Sequence, residues 1–339
     1  MSLQDDNSGH GKGSGLLSLA APLLRLVRRL LPWHRQSGGG AAQAWIPWIL
    51  LVLFVCVVAY YAVPRKKSYF LDITTDYFSI ITDADTQNVW EISEASVCLP
   101  LHKIEIADYA RFERVSGGRC AEDAYLELRL RGIELDWPAG VTLVMRPGLG
   151  RSLDVVIADH APDSPVRLGA IEATDESILS LPWEVFSEFG GLGVTGRFIA
   201  GQLAENGTLM LLRDGKYETR EHFWLRGPAR IVDSGAFSLG DVVSIEPRRS
   251  GEMPASYAFL TLTAAGDPAG AVGASLRAIV SSDLGYGRLR LDRAKSRETF
   301  LEPNWAQRLA IDPVAIGFAT ILGLFGATLG VIGAFRRKE

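Results

Sequence analysis

Histidine and cysteine are scarce: 339 residues hold five of the first and three of the second. No histidine has a second histidine at ligand spacing, so compact metal-binding motifs are missing and no metal or other cofactor is expected. A basic excess is missing too. The formal net charge is −4 and the pI near 5.8, which argues against a nucleic-acid partner. Strands do not alternate with long helices, so a doubly wound nucleotide fold is not expected. No fixed repeat period favours a solenoid, and no G-x-S-x-G elbow marks a hydrolase nucleophile.

Two long apolar runs stand out against these absences. Trp45–Val63 is an uncharged stretch of 19 residues, which as a helix rises about 28 Å, roughly a bilayer's hydrocarbon core. Pro313–Phe335 is its counterpart. The layout predicts a basic cytoplasmic segment over 1–43, a transmembrane helix over 44–63, a β-rich domain over 64–312, a second transmembrane helix over 313–335 and a short basic tail over 336–339. Leu16–Leu31 alternates apolar residues with Arg25, Arg28 and Arg29. It reads either as a surface-lying amphipathic segment or as a solvated basic arm.

Lysine and arginine placement orients the helices. Lys12, Arg25, Arg28, Arg29 and Arg35 precede the first run, and Arg336, Arg337 and Lys338 follow the second. The expected topology is multi-pass in the inner (plasma) membrane, both termini cytoplasmic and the central domain outside. Arg65, Lys66 and Lys67 after the first run, and Arg293, Lys295, Arg297 and Arg308 before the second, weaken that bias. The layout resembles that of bacterial envelope proteins in general terms.

Cys56 lies within the first apolar run and reads as a packing residue. Cys98 and Cys120 are close enough in sequence for a hairpin to bridge them, and a disulfide fits an oxidising compartment; two separate buried thiols are the alternative. From Ser68 onward the pattern is that of short strands. Tyr125–Leu130 is the clearest, with Leu126, Leu128 and Leu130 facing inward and Glu127 and Arg129 facing water. Asn206-Gly207 and Asp214-Gly215 are dipeptides that accept type I′ turns and predict a three-stranded meander over Arg197–Trp224. The expected fold is mainly β, an antiparallel sandwich or barrel-like domain between two transmembrane helices, in two halves that meet near 161–182. A short helix is expected around Leu181–Phe186.

Gly191, Gly193 and Gly196 form a literal G-x-G-x-x-G, but no helix pattern follows it. A glycine-rich loop or bulge is expected, and no nucleotide. Asp154, Asp159 and His160, with Ser152 nearby, are residue types of a hydrolytic site, although neighbours in a strand point to opposite faces. His102, His222 and Ser234 are isolated. In the second apolar run, Gly326, Gly330 and Ala334 repeat small residues on one helix face, with Ala319 and Gly323 as a neighbouring row. Such rows let helices pack closely in lipid.

These readings predict a non-enzymatic membrane subunit whose β domain binds or positions another envelope component. The partner would be a membrane or envelope protein, or a second copy. A membrane-anchored hydrolase using Asp154, Asp159 or His160 is the enzymatic alternative. A sensor of a small extracytoplasmic ligand is the third.

Overall fold

The structure is a computed structural model. It describes residues 65–313 apart from 84–87, 116–117, 149–151, 162–164, 185–189, 203–210, 223–228, 249–254, 264–273 and 294–297, with scattered positions to 327 and Val52 and Val55. Contacts divide the chain into Met1–Ala62 and Val63–Glu339. In the first unit only the helical Val52 and Val55 are described.

Within the second unit the described residues form seventeen strands. They are β1 (Lys67–Thr75), β2 (Phe78–Thr82), β3 (Val89–Pro100), β4 (Tyr125–Asp136), β5 (Thr142–Gly148), β6 (Ser152–Asp159), β7 (Val166–Leu168), β8 (Ile171–Ala173) and β9 (Ile178–Pro182). Then come β10 (Leu192–Ala200), β11 (Leu212–Glu221), β12 (Arg230–Phe237), β13 (Val242–Pro247), β14 (Ser256–Thr263), β15 (Ser275–Ser282), β16 (Gly287–Asp292) and β17 (Thr299–Leu301). One helix, α1 (Trp305–Ile311), follows.

The pairings between these strands are antiparallel. One group runs β2-β5-β6-β9-β3-β4-β7-β8. The other runs β12-β11-β1-β15-β14-β10, and β10 continues onto β13, β16 and β17. β10 joins the groups by pairing β2 from Gly196↔Thr82 to Ala200↔Phe78. Across that seam Phe78 and Phe198 stack at 5.7 Å, Trp90 Nε1 donates to the Gly193 carbonyl at 2.6 Å, and Thr195 N donates to Asn88 Oδ1 at 2.6 Å.

Alternation explains the core. In β1 Tyr69, Leu71 and Ile73 are buried while the residues between them are half-exposed, as period-two strands with one dry face require. A single cluster of buried side chains draws on strands from both groups. The expected leucine face of β4 is buried. Glu127, expected in water, is buried as well, because its carboxylate is held by two backbone N–H groups.

The strand registers define two ends of the second group. Lys67 pairs with Glu221, Glu221 with Arg230, and Pro247 with Gly287. Lys67 also bonds Gly285 in both directions, at 2.7 and 2.9 Å. These residues mark the end where β1 begins and α1 lies. Thr75, Leu212, Phe237 and Asp292 mark the other.

The predicted meander does not form. Asp214 and Gly215 lie inside β11, opposite Thr74 and Ile73 of β1, and β11 pairs β1 and β12 rather than β10. A Cβ on Gly215 would stand 2.9 Å from the Asp72 carbonyl oxygen, so this glycine serves a close backbone approach instead of a turn. Asn206-Gly207 lies outside the described residues. The stretch expected as a junction near 161–182 contains β7, β8 and β9. Leu181 belongs to β9, and only Trp183 and Glu184 of the expected short helix are described as helical.

Among the described residues no helix is long and apolar enough to cross a membrane. The runs Trp45–Val63 and Pro313–Phe335 lie largely outside those residues, as do Gly326, Gly330 and Ala334. Ala319 and Gly323 are helical, and a Cβ on Gly323 would meet nothing within 4 Å.

Candidate functional site

Cys98 sits in β3 opposite Glu127 of β4, so the strand ladder presents its sulfur toward the segment that leads into β4. Cys98 and Cys120 are joined as a disulfide, their Cα atoms 6.2 Å apart. The Glu127 carboxylate accepts from the backbone N–H of Arg119 at 2.7 Å and of Cys120 at 3.2 Å. Two N–H groups aimed at one oxygen compensate the desolvation of a buried carboxylate. Arg119 then donates to Ser180 Oγ at 2.9 Å, and Ser180 Oγ donates to Asp154 Oδ1 at 2.9 Å. The disulfide, Glu127, Arg119, Ser180 and Asp154 are thus one connected system.

A cleft of about 500 Å³ opens beside it, lined by Glu94, Ser96, Arg119, Glu127, Arg129 and Glu184 among others. Its wall alternates carboxylates and guanidinium groups, a surface suited to charge-paired binding of a polar segment. The sulfurs of Cys98 and Cys120 and the Glu127 carboxylate lie within 4.8 Å of one another. Bonded to each other, the sulfurs supply no thiolate, so the oxidised site does not fit a metal ion.

The structure does not assemble Asp154, Asp159 and His160. Asp154 pairs in register with Arg146, Asp159 with Thr142, and the two carboxylates are five positions apart on one strand. That separates them by about 16 Å. His160 turns instead to Asp175, Nδ1 to Oδ1 2.5 Å. Asp175 lies in the turn before β9, where Glu176 takes a positive φ of 70° and forms an ion pair with Lys103 at 3.0 Å. Sequence reasoning missed Asp175, since nothing local links position 160 to position 175. Ser152 is buried at the start of β6, and Ser234 lies in β12 opposite Glu218. His102 lies 3.8 Å from Glu176, and His222 directly follows β11.

The glycine fingerprint belongs to β10 and the residue before it. A Cβ on Gly196 would collide with the Ile81 carbonyl oxygen, and one on Gly193 with the Tyr257 hydroxyl. Gly191, at φ +152°, would meet Phe259. The glycines admit neighbouring strands and side chains, so the segment is a strand and not the expected loop or bulge.

Charge is buried where β1, β11 and α1 meet. Lys67 is 1% exposed and Glu221 0%. Arg308 Nη2 stands 3.0 Å from Glu221 Oε1, and Lys67 Nζ stands 3.8 Å from Glu302 Oε1, too far for a hydrogen bond. Burial pushes the Glu221 carboxyl up, opposed by Arg308 and Lys67. Burial pushes the Lys67 ammonium down, opposed by Glu302 and Glu221. Helix α1 is fixed over this cluster by a reciprocal cap, Asn304 accepting from Gln307 N and Gln307 accepting from Asn304 N. After it, Asp312 accepts from Ile316 N at 3.0 Å and opens the next helical stretch with Pro313.

No family model matches the chain, and neither the curated proteins nor the solved structures contain a match to it.

Proposed function

We propose that the chain is a non-enzymatic, doubly tethered membrane subunit whose β domain, closed as a sandwich or barrel-like body, stands outside the cytoplasm and positions another envelope component. The observation that carries this reading is the convergence of the two stems. Lys67, four positions after the first apolar run ends, and Arg308, five positions before the second begins, share the buried Glu221. One end of the domain therefore holds Lys67 and Arg308, the described residues nearest in this cluster to the two apolar runs, as a double tether requires. The exposed apolar side chains Val52, Val55, Ile316 and Leu324 also call for a nonaqueous surround. The Cys98–Cys120 bond supports an oxidising compartment.

The cleft beside the disulfide is the surface offered to the partner. Paired carboxylates and guanidinium groups favour specificity over raw affinity, which suits a positioning subunit. A hydrolase built on Asp154 is the weaker reading, because that carboxylate is engaged by Ser180 Oγ. Alkaline phosphatase fused after Ser250 tests the topology and should be active. The partner is tested by mild-detergent purification of wild type and of Glu94→Lys with Arg129→Glu. A component recovered at stoichiometry with wild type should be lost with the variant. Recovery that depends instead on His160, tested as His160→Ala, would favour an enzyme.

A further inference from the structure

Besides holding the stems, the end of the domain that carries Lys67 and α1 displays apolar surface. Leu284 is 40% exposed and Tyr286 41%. They flank Gly285, which two backbone hydrogen bonds lock to Lys67. Trp305, 57% exposed, is the first residue of α1. Lys66 Nζ lies 5.8 Å from the centre of the Tyr286 ring, so aromatic face and cation are presented together. Arg65, Arg230 and Arg248 lie at the same end by register, with Asp283 and the ion-paired Glu302 as acids there. A tyrosine and a tryptophan beside basic residues form the composition found at the membrane–water boundary.

Chain length fixes what this surface faces. Val63 is three residues from Lys66, a span of at most about 10 Å. Trp305 is eight residues from Pro313, at most about 16 Å with α1 helical to Ile311 and Asp312 extended. A bilayer's polar layer is about 5–8 Å deep on each side. Apolar segments ending so close leave no room for another domain beneath this end.

We infer that Leu284, Tyr286 and Trp305 form a membrane-seating surface that enters the headgroup layer of the bilayer, with the exposed Lys66 directed at anionic headgroups. The inference rests on the doubly tethered reading. It adds that the domain is held against the lipid rather than swinging on two flexible stems, so the cleft beside the disulfide is kept at one height and orientation over the membrane.

The test is photocrosslinking of the full chain, reconstituted as the sole protein in nanodiscs of phosphatidylcholine and phosphatidylglycerol. p-Benzoylphenylalanine replaces Tyr286 or Trp305, and in separate variants Leu239 or Leu324. Leu239 is an exposed residue beyond Phe237, at the opposite end of the domain, and Leu324 lies within the second apolar run. Intact mass then reads lipid adducts. We expect adducts at 286, 305 and 324, and at least a tenfold lower yield at 239. Lipid at 324 with none at 286 and 305 would overturn the seating surface and leave the tether standing. No lipid at 324 would overturn both. Protein adducts at 286 would replace lipid with a second copy as the occupant, and equal yields at 239 and 286 would remove the selectivity that the inference requires.

Discussion

Arg308 Nη2 stands 3.0 Å from Glu221 Oε1, with 7% of the arginine side chain and none of the glutamate exposed. The same carboxylate lies across the ladder from Lys67. Glu221 is therefore the shared counter-ion of cations from opposite ends of the chain, Lys67 and Arg65 on one side and Arg308 on the other. Removing one partner from a buried ion cluster leaves uncompensated charge, at a cost of about 3–5 kcal/mol.

Glu221→Gln should accordingly destabilise the domain by that amount. Replacing Lys67, Glu221 and Arg308 together by Met should cost much less, because the desolvation of all three charges disappears with the pairing. Urea unfolding of the purified protein measures both. An unchanged midpoint in Glu221→Gln would mean that water reaches the cluster.

That cluster was illegible in the sequence, where Lys67 and Arg308 read only as cations flanking the two apolar runs and nothing local links Glu221 to either. Local alternation did reveal β4, whose Leu126, Leu128 and Leu130 keep one dry face. It did not reveal β7, β8 and β9, because three- to five-residue strands among proline, glycine and acids carry too little period. Asp214-Gly215 misled for another reason: a glycine chosen for close strand approach has the same letters as one chosen for a turn. Cys98 and Cys120 were legible as a pair, whereas Glu127 was not legible as the carboxylate beneath them. A β4 residue looks wet by alternation until the N–H groups of the segment leading into β4 are seen to face it.

Gly196→Ala should destabilise the domain by about 1–3 kcal/mol or more, the range for overpacking. The added methyl meets a backbone carbonyl, that of Ile81, which cannot swing away. Gly193→Ala should cost less, since it meets the tip of the Tyr257 side chain. Thermal melting of the two variants gives the comparison. An equal or reversed order would place the tight seam of β10 elsewhere.

Asp72 and Arg277 join β1 to β15 through two hydrogen bonds of 2.8 and 2.7 Å. Those bonds, chiefly, hold the Asp72 carboxyl below its usual 3.8. A depressed folded-state pKa means that the unfolded chain binds the proton first, so this contribution is present above 3.8 and is lost as pH falls through the lower folded value. Asp72→Asn should lower the melting temperature slightly near neutrality, the pair being partly exposed. It should also flatten the decline of stability as pH falls below about 4. Parallel curves for the two proteins would show that the pair contributes nothing.

The disulfide is the strongest constraint on the segment that borders the cleft. Cys98 lies in β3, Cys120 is 22 positions on, and a loop of that size closed by a bond stabilises by about 3 kcal/mol in a chain-entropy treatment. The near side of the segment has its own fastening, since Val115 N donates to the Glu127 carbonyl and Arg129 N to the Glu113 carbonyl at 3.0 Å each. The far side relies on the bond itself, on the Glu127 carboxylate, which accepts from Arg119 N and Cys120 N, and on the Arg119 side chain, which donates to Ser180 Oγ. Cys98→Ser with Cys120→Ser should therefore loosen the stretch around Arg119 and leave the ladder of β3 and β4 paired. Trypsin cleavage after Arg119 should accelerate at least tenfold in the variant, while strand amides of β4 keep their hydrogen-exchange protection. Adding Glu127→Gln should accelerate cleavage further, because a neutral amide accepts more weakly from the same two N–H groups. If cleavage after Arg119 is equally slow without the cysteines, the Glu127 carboxylate and Ser180 suffice to hold the segment, and the wall of the cleft does not depend on an oxidising compartment.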